Sequence, residues 1–194
     1  MGIAIDDGLI QSIDDYVLTY IPEFKDIELS DKLKIRHLLN HTSGFESSVI
    51  LDINIYYGQD IMKHLKNMEI IKMPGTHQEY FNMNTQIIGI IFKRVTGKSI
   101  ASYMEEKIWK PIQACNDGIW SIDKKNQLEK TFCCIGATTL DYAKFGRLFL
   151  NKGQWNNNQI ISENWLNDCI KNNEHGEKSQ RFAEFNRTID ELAS

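Results

Sequence analysis

The sequence predicts an α/β fold that is mostly helical, with a small and incomplete antiparallel sheet. Apolar residues recur at helical spacing in several segments, and glycines rather than prolines separate those segments. Only one stretch, in which two short runs flank a polar Lys-Lys-Asn-Gln turn, looks like a β-hairpin. The chain has 194 residues, which suits one domain or two small ones and permits a sizeable core.

Four short helices are predicted in the first 70 residues. They occupy residues 2–10, residue 13 to Pro22, residues 35–39 and residues 58–68. Gly44 follows the third helix closely and is suited to the left-handed backbone conformation that closes helices. This part of the chain is therefore expected to be a set of short helices joined by tight turns.

A Pro-Gly turn at residues 74–75 opens the second part of the chain. A buried helix is expected over residues 84–95, ended by Gly97, and a second helix from a Ser99 cap to Trp109. A β-hairpin of residues 119–123 and 128–134 follows. The last two expected elements are a helix over residues 139–151 and a helix that Ser162 caps. Helices therefore dominate, and the strands are few and short.

Charge and hydropathy bear on the kind of partner. The 22 basic and 26 acidic side chains give a net charge of −4, whereas a general nucleic-acid binder needs a basic face. No apolar run approaches the roughly 20 residues that span a bilayer. Asp6 and Asp7 interrupt the opening residues, so these do not form the core of a signal peptide. The sequence does not indicate a compartment.

Two of the four cysteines, Cys133 and Cys134, are adjacent. They admit two interpretations. The pair could be redox-active, or both could be small apolar residues of a strand, where free cysteine is usually buried. The second interpretation is favoured.

The most informative stretch is residues 74–86, PGTHQEYFNMNTQ. It places a Tyr-x-Asn sequence, Tyr80 and Asn82, on an irregular segment just before a buried helix. A tyrosine held there by rigid neighbours can point into a cleft. Taken alone, the pattern favours a half-buried Tyr80 and a helix cap at Asn82 or Asn84.

Four longer phrases resemble the serine β-lactamase-like family, which includes class C β-lactamases, penicillin-binding proteins, esterases and 6-aminohexanoate-dimer hydrolases. In the family's order, the phrases are GIAIDDGLIQSIDDYVLTYIPEF, IRHLLNHTSGF, PGTHQEYFNMNTQIIGIIFKRVTGKSIASYMEEKIWKPI and GATTLDYAKFGRLFLNKGQWNNNQIISENWL. Residues 118–155 are most similar to the 6-aminohexanoate-dimer-hydrolase branch. The resemblance implies a β-lactamase/transpeptidase-like fold. Its helical subdomain and incomplete sheet would span residues 1–173, and residues 174–194 would form a divergent tail with a short amphipathic helix.

The resemblance also implies a reaction. Family members hydrolyse amide or ester bonds of small molecules through an acyl-serine intermediate, with no cofactor or metal. Tyr80 and Asn82 match the family's Tyr-x-Asn motif, in which the tyrosine shuttles protons and the asparagine contacts the substrate. The family's Ser-x-x-Lys nucleophile would precede Met1, and its Lys/His-x-Gly strand has no match in the tail.

One Ser-x-x-Lys string does occur, from Ser121 to Lys124, but it lies at the edge of the hairpin and is interpreted as a coincidence. A serine hydroxyl is a weak nucleophile without an adjacent base. The chain is therefore expected to be a fragment of such a hydrolase that is inactive by itself. The alternative, suggested by the divergent tail, is a non-catalytic binding or regulatory protein that reuses the helical scaffold. The oligomeric state is not indicated.

Three histidines are weaker candidates. His37 and His41 are four residues apart and could bind a metal from one helix face. The sequence shows no third ligand, so a structural or capping role is favoured for both. His77 is interpreted as a solvated turn residue rather than as part of a cleft near Tyr80.

Overall fold

The structure is a computed structural model that describes residues 1–170. Within that range, two 3-10 turns (Pro22–Asp26 and Ser30–Lys32) and one π-helical turn (Glu105–Trp109) accompany the regular helices. The α-helices are α1 (Gly2–Asp6), α2 (Val17–Tyr20), α3 (Ile35–Leu39), α4 (Val49–Tyr57), α5 (Ile61–Leu65), α6 (Asn82–Thr96), α7 (Ile100–Met104), α8 (Thr139–Leu150) and α9 (Glu163–Ile170). The predicted tail at residues 174–194 lies outside the described residues.

Strands contribute little to the described part of the chain. Strand β1 (Ile119–Trp120) pairs with β2 (Ile135–Gly136), and β3 (Gln154–Trp155) pairs with β4 (Asn158–Gln159), both antiparallel. The predicted helical fold with an incomplete antiparallel sheet is therefore confirmed for these residues.

Helix α6 is the centre of the larger core. It packs against α2, α3, α4 and α7, and its buried side chains lie among those of the neighbouring helices. Gly97 ends α6 in the left-handed conformation, at φ +66°, as predicted. A smaller core forms where α8 and α9 meet, around four buried residues: Ile112, Leu148, Ile161 and Leu166.

The sequence did not predict α4. Ser48 caps this helix by accepting a hydrogen bond from the Leu51 N–H (3.1 Å). The helix expected over residues 58–68 is shorter than predicted, because its regular turns begin only at Ile61. Asp60 caps this helix: its side chain accepts a hydrogen bond from the Lys63 N–H (3.2 Å). No helix within residues 1–170 is long and apolar enough to cross a bilayer.

The predicted hairpin is present but irregular. Ile122 pairs with Glu129, and a turn then interrupts the second arm before β2 begins. Cys133 and Cys134 lie in this interruption, half-buried and joined by a disulfide bond. The interpretation of the two cysteines as free thiols in a buried strand is therefore wrong.

Candidate active site

The candidate site forms where the end of α3 meets the segment that enters α6. His41 closes α3 with a left-handed backbone at φ +55°, although Gly44 was expected to do so. The His41 carbonyl accepts a hydrogen bond from the Glu79 N–H (2.8 Å), and the Thr42 carbonyl accepts one from the Gly75 N–H (2.7 Å). These bonds fix the path of the chain towards Tyr80.

The Pro-Gly turn that precedes Tyr80 is confirmed. Gly75 has φ +89°, in the left-handed region that side chains disfavour, and a Cβ added there would lie 3.2 Å from His37 Nε2. Pro74 is buried beside it. The turn is therefore held close against α3.

Tyr80 is 62% exposed, so the interpretation of a half-buried aromatic is wrong. Its ring stacks on the His41 ring, with centroids 4.6 Å apart and an interplanar angle of 24°. Within residues 1–170 its hydroxyl forms no hydrogen bond to another residue. The ring is thus fixed on one face while the hydroxyl is open to a ligand.

His41 is neutral in this arrangement. Its Nδ1 accepts a hydrogen bond from the Phe81 N–H (3.2 Å) and lies 3.3 Å from the Asn84 Nδ2. An atom that accepts from an N–H carries no proton, so the imidazole proton is on Nε2. Burial lowers the pKa of His41 below its ordinary value of 6.5. His41 therefore supports Tyr80 without contributing a positive charge.

Asn82 is the first residue of α6 and lies beside Asp52 of α4. Burial raises the pKa of the Asp52 carboxyl, and hydrogen bonding by the main-chain and side-chain amides of Asn82 opposes that rise. In the described part of the chain, the buried Oδ1 atoms of Asp52 and Asn84 have no hydrogen-bond partner. Polar atoms are therefore concentrated at the start of α6.

Glu79 anchors the segment on its other side. It accepts a hydrogen bond from the Ser47 hydroxyl and is paired with Lys72, whose Nζ lies 3.2 Å from its carboxylate. The Ser47 hydrogen bond, followed by Lys72, lowers the pKa of Glu79. His77 is exposed, with its Nε2 4.0 Å from the same carboxylate. Tyr80 thus projects from a segment whose residues on either side, Glu79 and Phe81, are both held by hydrogen bonds.

Ser121 and Lys124 do not form a nucleophilic pair. Both are exposed, and the main chain of Ser121 bonds to Cys134 and Lys130 across the hairpin. Within residues 1–170 no hydrogen bond joins the two side chains. The string therefore has the geometry of a hairpin edge rather than of a helix start.

The histidines near the site have structural partners. His37 Nδ1 accepts from the Lys34 N–H (3.2 Å) at the start of α3, and His41 Nδ1 accepts from Phe81. These contacts fit the favoured capping or structural role better than joint metal binding. Across residues 1–170, no three His, Cys, Asp or Glu side chains gather as metal ligands.

The sequence indicated Tyr80 and Asn82 as candidate site residues. It did not indicate that His41, Asp52 and Asn84 lie beside them. The phrase IRHLLNHTSGF contains His41, yet nothing in that phrase indicates a partner some 40 residues later.

Comparison with known proteins identifies the family. The beta-lactamase family model matches residues 3–123, which is more than half of the chain. The chain belongs to the beta-lactamase family. The match includes Tyr80, Asn82 and all the residues that surround them.

The chain is similar in sequence to curated bacterial proteins. The chain is 28% identical over 109 residues to the N-acetylmuramyl-L-alanine amidase of Bacillus subtilis, a match that covers 50% of the chain and 25% of the relative. It is 29% identical over 111 residues to a protein of Escherichia coli provisionally assigned as a D-alanyl-D-alanine carboxypeptidase, which covers 51% of the chain and 26% of the relative. The chain thus matches about a quarter of the length of these relatives.

Solved structures show the fold. A protein from Bacillus anthracis, provisionally assigned as a 6-aminohexanoate-dimer hydrolase, superposes with a TM-score of 0.80 at 22% identity, over 89% of this chain and 50% of that one. The octameric penicillin-binding protein homologue from Pyrococcus abyssi gives 0.66 at 19% identity, over 86% of this chain and 44% of that one. The chain therefore has the β-lactamase/transpeptidase-like fold over about half of the matched chains.

Proposed function

We propose that this chain is the tyrosine-bearing helical part of a serine hydrolase that cleaves an amide or ester bond in a small molecule. Tyr80 and Asn82 are its site residues. The observation that carries the proposal is the exposed Tyr80 ring, stacked on His41, with a hydroxyl that has no partner in the described part of the chain. In the proposed reaction, Tyr80 relays a proton between nucleophile and leaving group, and the Asn82 amide contacts the substrate.

The second part of the proposal is that the chain does not complete this reaction by itself. Tyr80 needs a serine to deprotonate and a nearby cation to favour its phenolate form. Lys72, one of the lysines near the segment, is paired with Glu79. In the serine protease subtilisin, removal of the nucleophile costs about a million-fold in rate. A comparable loss is expected here.

Turnover assays test both parts. The chain is incubated with a chromogenic ester and a chromogenic cephalosporin, beside a full-length family member that has the Ser-x-x-Lys motif. We expect the family member to hydrolyse a substrate, and this chain to show no more turnover than buffer, with or without Tyr80→Phe. Turnover that falls in Tyr80→Phe would overturn the proposed inactivity. Turnover that Tyr80→Phe leaves unchanged would overturn the role of Tyr80.

The proposed branch is that of the 6-aminohexanoate-dimer hydrolases, which according to their name hydrolyse a dimer of 6-aminohexanoate. The structural likeness to the Bacillus anthracis protein supports this choice. A panel of linear amides and cyclic β-lactams, offered to a full-length relative and to its variant at the tyrosine equivalent to Tyr80, separates this branch from the lactamases. Preference for the β-lactams would overturn the branch without affecting the family.

A further inference from the structure

The turn at residues 129–134 is fastened to the beginning of α6. The Thr131 N–H donates to Gln86 Oε1 (3.1 Å), and the Thr131 hydroxyl donates to the Thr85 carbonyl (2.9 Å). Gln86 Nε2 donates in return to the Glu129 carbonyl (3.0 Å). Because Thr85 and Gln86 lie about one helical turn after the start of α6, the turn is bonded to the same helix end that carries the candidate site.

The same turn surrounds the indole N–H of Trp120. The Trp120 Nε1 lies 2.9 Å from the Cys133 carbonyl and 3.0 Å from the Lys130 carbonyl. The Ser121 N–H donates to the Cys134 carbonyl (3.1 Å). The carbonyls of both cysteines therefore hold the first arm of the hairpin in place. A movement of the cysteine pair would shift the hydrogen-bond acceptor of the Trp120 indole.

A third set of bonds connects the turn to α4. The Lys130 ammonium, on a side chain that is largely buried, donates to the Tyr56 and Gly58 carbonyls at the end of that helix. The Asp52 carboxyl, near the middle of α4, lies beside Asn82. Two routes of direct contact, one through α6 and one through α4, thus lead from the cysteine pair to the candidate site.

The cysteine pair itself is suited to thiol–disulfide exchange. Both residues are half-buried rather than enclosed, so a small thiol can reach them. Their Cα atoms are 3.7 Å apart, which is the ordinary spacing of neighbours in a chain, so the bridge closes the smallest ring that two cysteines can form. Cys134 also has a left-handed backbone at φ +73°, which a non-glycine residue rarely adopts.

We propose that Cys133 and Cys134 form a reversible redox site whose reactants are small dithiols and disulfides. A dithiol attacks the bridge, the S–S bond breaks, and two thiols form on the protein while the reactant closes to its own disulfide. The two electrons and two protons come from the dithiol. Opening the bridge releases the turn, and with it Trp120 and the start of α6. The site does not depend on the proposed hydrolase function.

Thiol counting tests the chemistry. The full chain carrying Cys115→Ser and Cys169→Ser, which removes the two free, exposed cysteines, is equilibrated with mixtures of reduced and oxidised dithiothreitol. We expect both remaining thiols to appear together and to disappear again without denaturant. The reduced chain should bind phenylarsine oxide, and Cys133→Ser should abolish that binding. Thiols that never close, or a bridge that opens only in denaturant, would overturn the proposal.

Hydrogen exchange tests the coupling on the unsubstituted chain. Reduction should speed amide exchange severalfold over residues 82–86, while α9 serves as the unaffected reference. It should also shift the tryptophan emission, and Trp120→Phe should remove that shift. The double variant Cys133→Ser/Cys134→Ser should behave as the reduced chain. If this variant does not fold, the comparison of the oxidised and reduced unsubstituted chain still tests the coupling. Equal exchange in both redox states would overturn the coupling.

Discussion

The two tyrosines Tyr80 and Tyr103 differ in exposure and in hydrogen bonding. The Tyr103 ring is buried and its hydroxyl donates to Asp7 (2.8 Å), and burial and this bond raise its pKa. Tyr103→Phe should lower the free energy of unfolding by about 1–2 kcal/mol. Tyr80→Phe should change it by less than about 0.5 kcal/mol. Urea denaturation measures both, and an equal loss for Tyr80→Phe would make Tyr80 a structural residue.

His41 gives the site a pH dependence of stability. Its pKa is lowered on folding by burial, so the unfolded chain binds the proton more tightly than the folded one. The contribution of a neutral His41 to the free energy of unfolding is therefore complete above pH 6.5. It is lost as the pH falls from 6.5 towards the lowered pKa of the folded state. Unfolding free energies measured across this range should show the loss.

Substitution of single histidines shows which residue causes the loss of stability below pH 6.5. His41→Asn should flatten the decline below pH 6.5, leaving the part due to His37, whose pKa burial also lowers. His77→Asn is the matched control, because His77 is exposed and lies outside the core. A decline that is the same in His41→Asn and in the unsubstituted chain would contradict the neutral assignment.

The candidate site residues that the sequence indicated are those with a local signature. Tyr80 and Asn82 stand two positions apart after a Pro-Gly turn, so a short motif contains both. The contact between His41 and Phe81 spans 40 positions, and the one between Asp52 and Asn82 joins two helices. Such pairs depend on how the helices pack, which a single sequence does not state.

At the scale of elements, α6 and α8 each carry a glycine with a different role. A Cβ added at Gly89 would lie 2.5 Å from the Thr131 Cγ2, whereas nothing lies within 4 Å of one added at Gly146. Gly146→Ala should stabilise the protein by about 0.5–1 kcal/mol, because glycine is the poorer helix former. Gly89→Ala should destabilise it, since α6 must move away from the hairpin turn.

Thermal or urea unfolding of the two variants, side by side, checks this pair. The substitution is chemically identical and both sites are helical, so helix propensity cancels in the comparison. A stabilising Gly89→Ala would mean that residue 131 does not pack on α6, and the described bonds between the turn and that helix would be wrong.

The elements that the sequence missed have physical reasons. Helix α4 reads VILDINIYY, in which apolar residues occur on every side and four of them, Ile50, Ile53, Tyr56 and Tyr57, are exposed. The segment therefore lacks the apolar stripe that predicts a helix. The hairpin was predicted from the polar turn between its two arms, but the second turn, at residues 129–134, depends on bonds to Gln86 and Trp120.

For the whole molecule, the described residues enclose a helical core and leave apolar surface outside it. Leu140 and Leu150 of α8 and Ile119 of β1 are 61%, 72% and 75% exposed. Single exposed apolar side chains such as these are normal on a folded surface. The matched structures are about twice as long as this chain.

Intact-mass analysis after treatment with a fluorophosphonate and with a penicillin tests the central claim most directly. The penicillin acylates an activated serine and the fluorophosphonate phosphonylates it, so the mass records a nucleophile whatever the natural substrate is. We expect the folded chain to keep its unmodified mass and a full-length family member with the Ser-x-x-Lys motif to be labelled stoichiometrically. Stoichiometric labelling of any serine in this chain would contradict the account, and labelling at Ser121 would identify the hairpin string as the nucleophile.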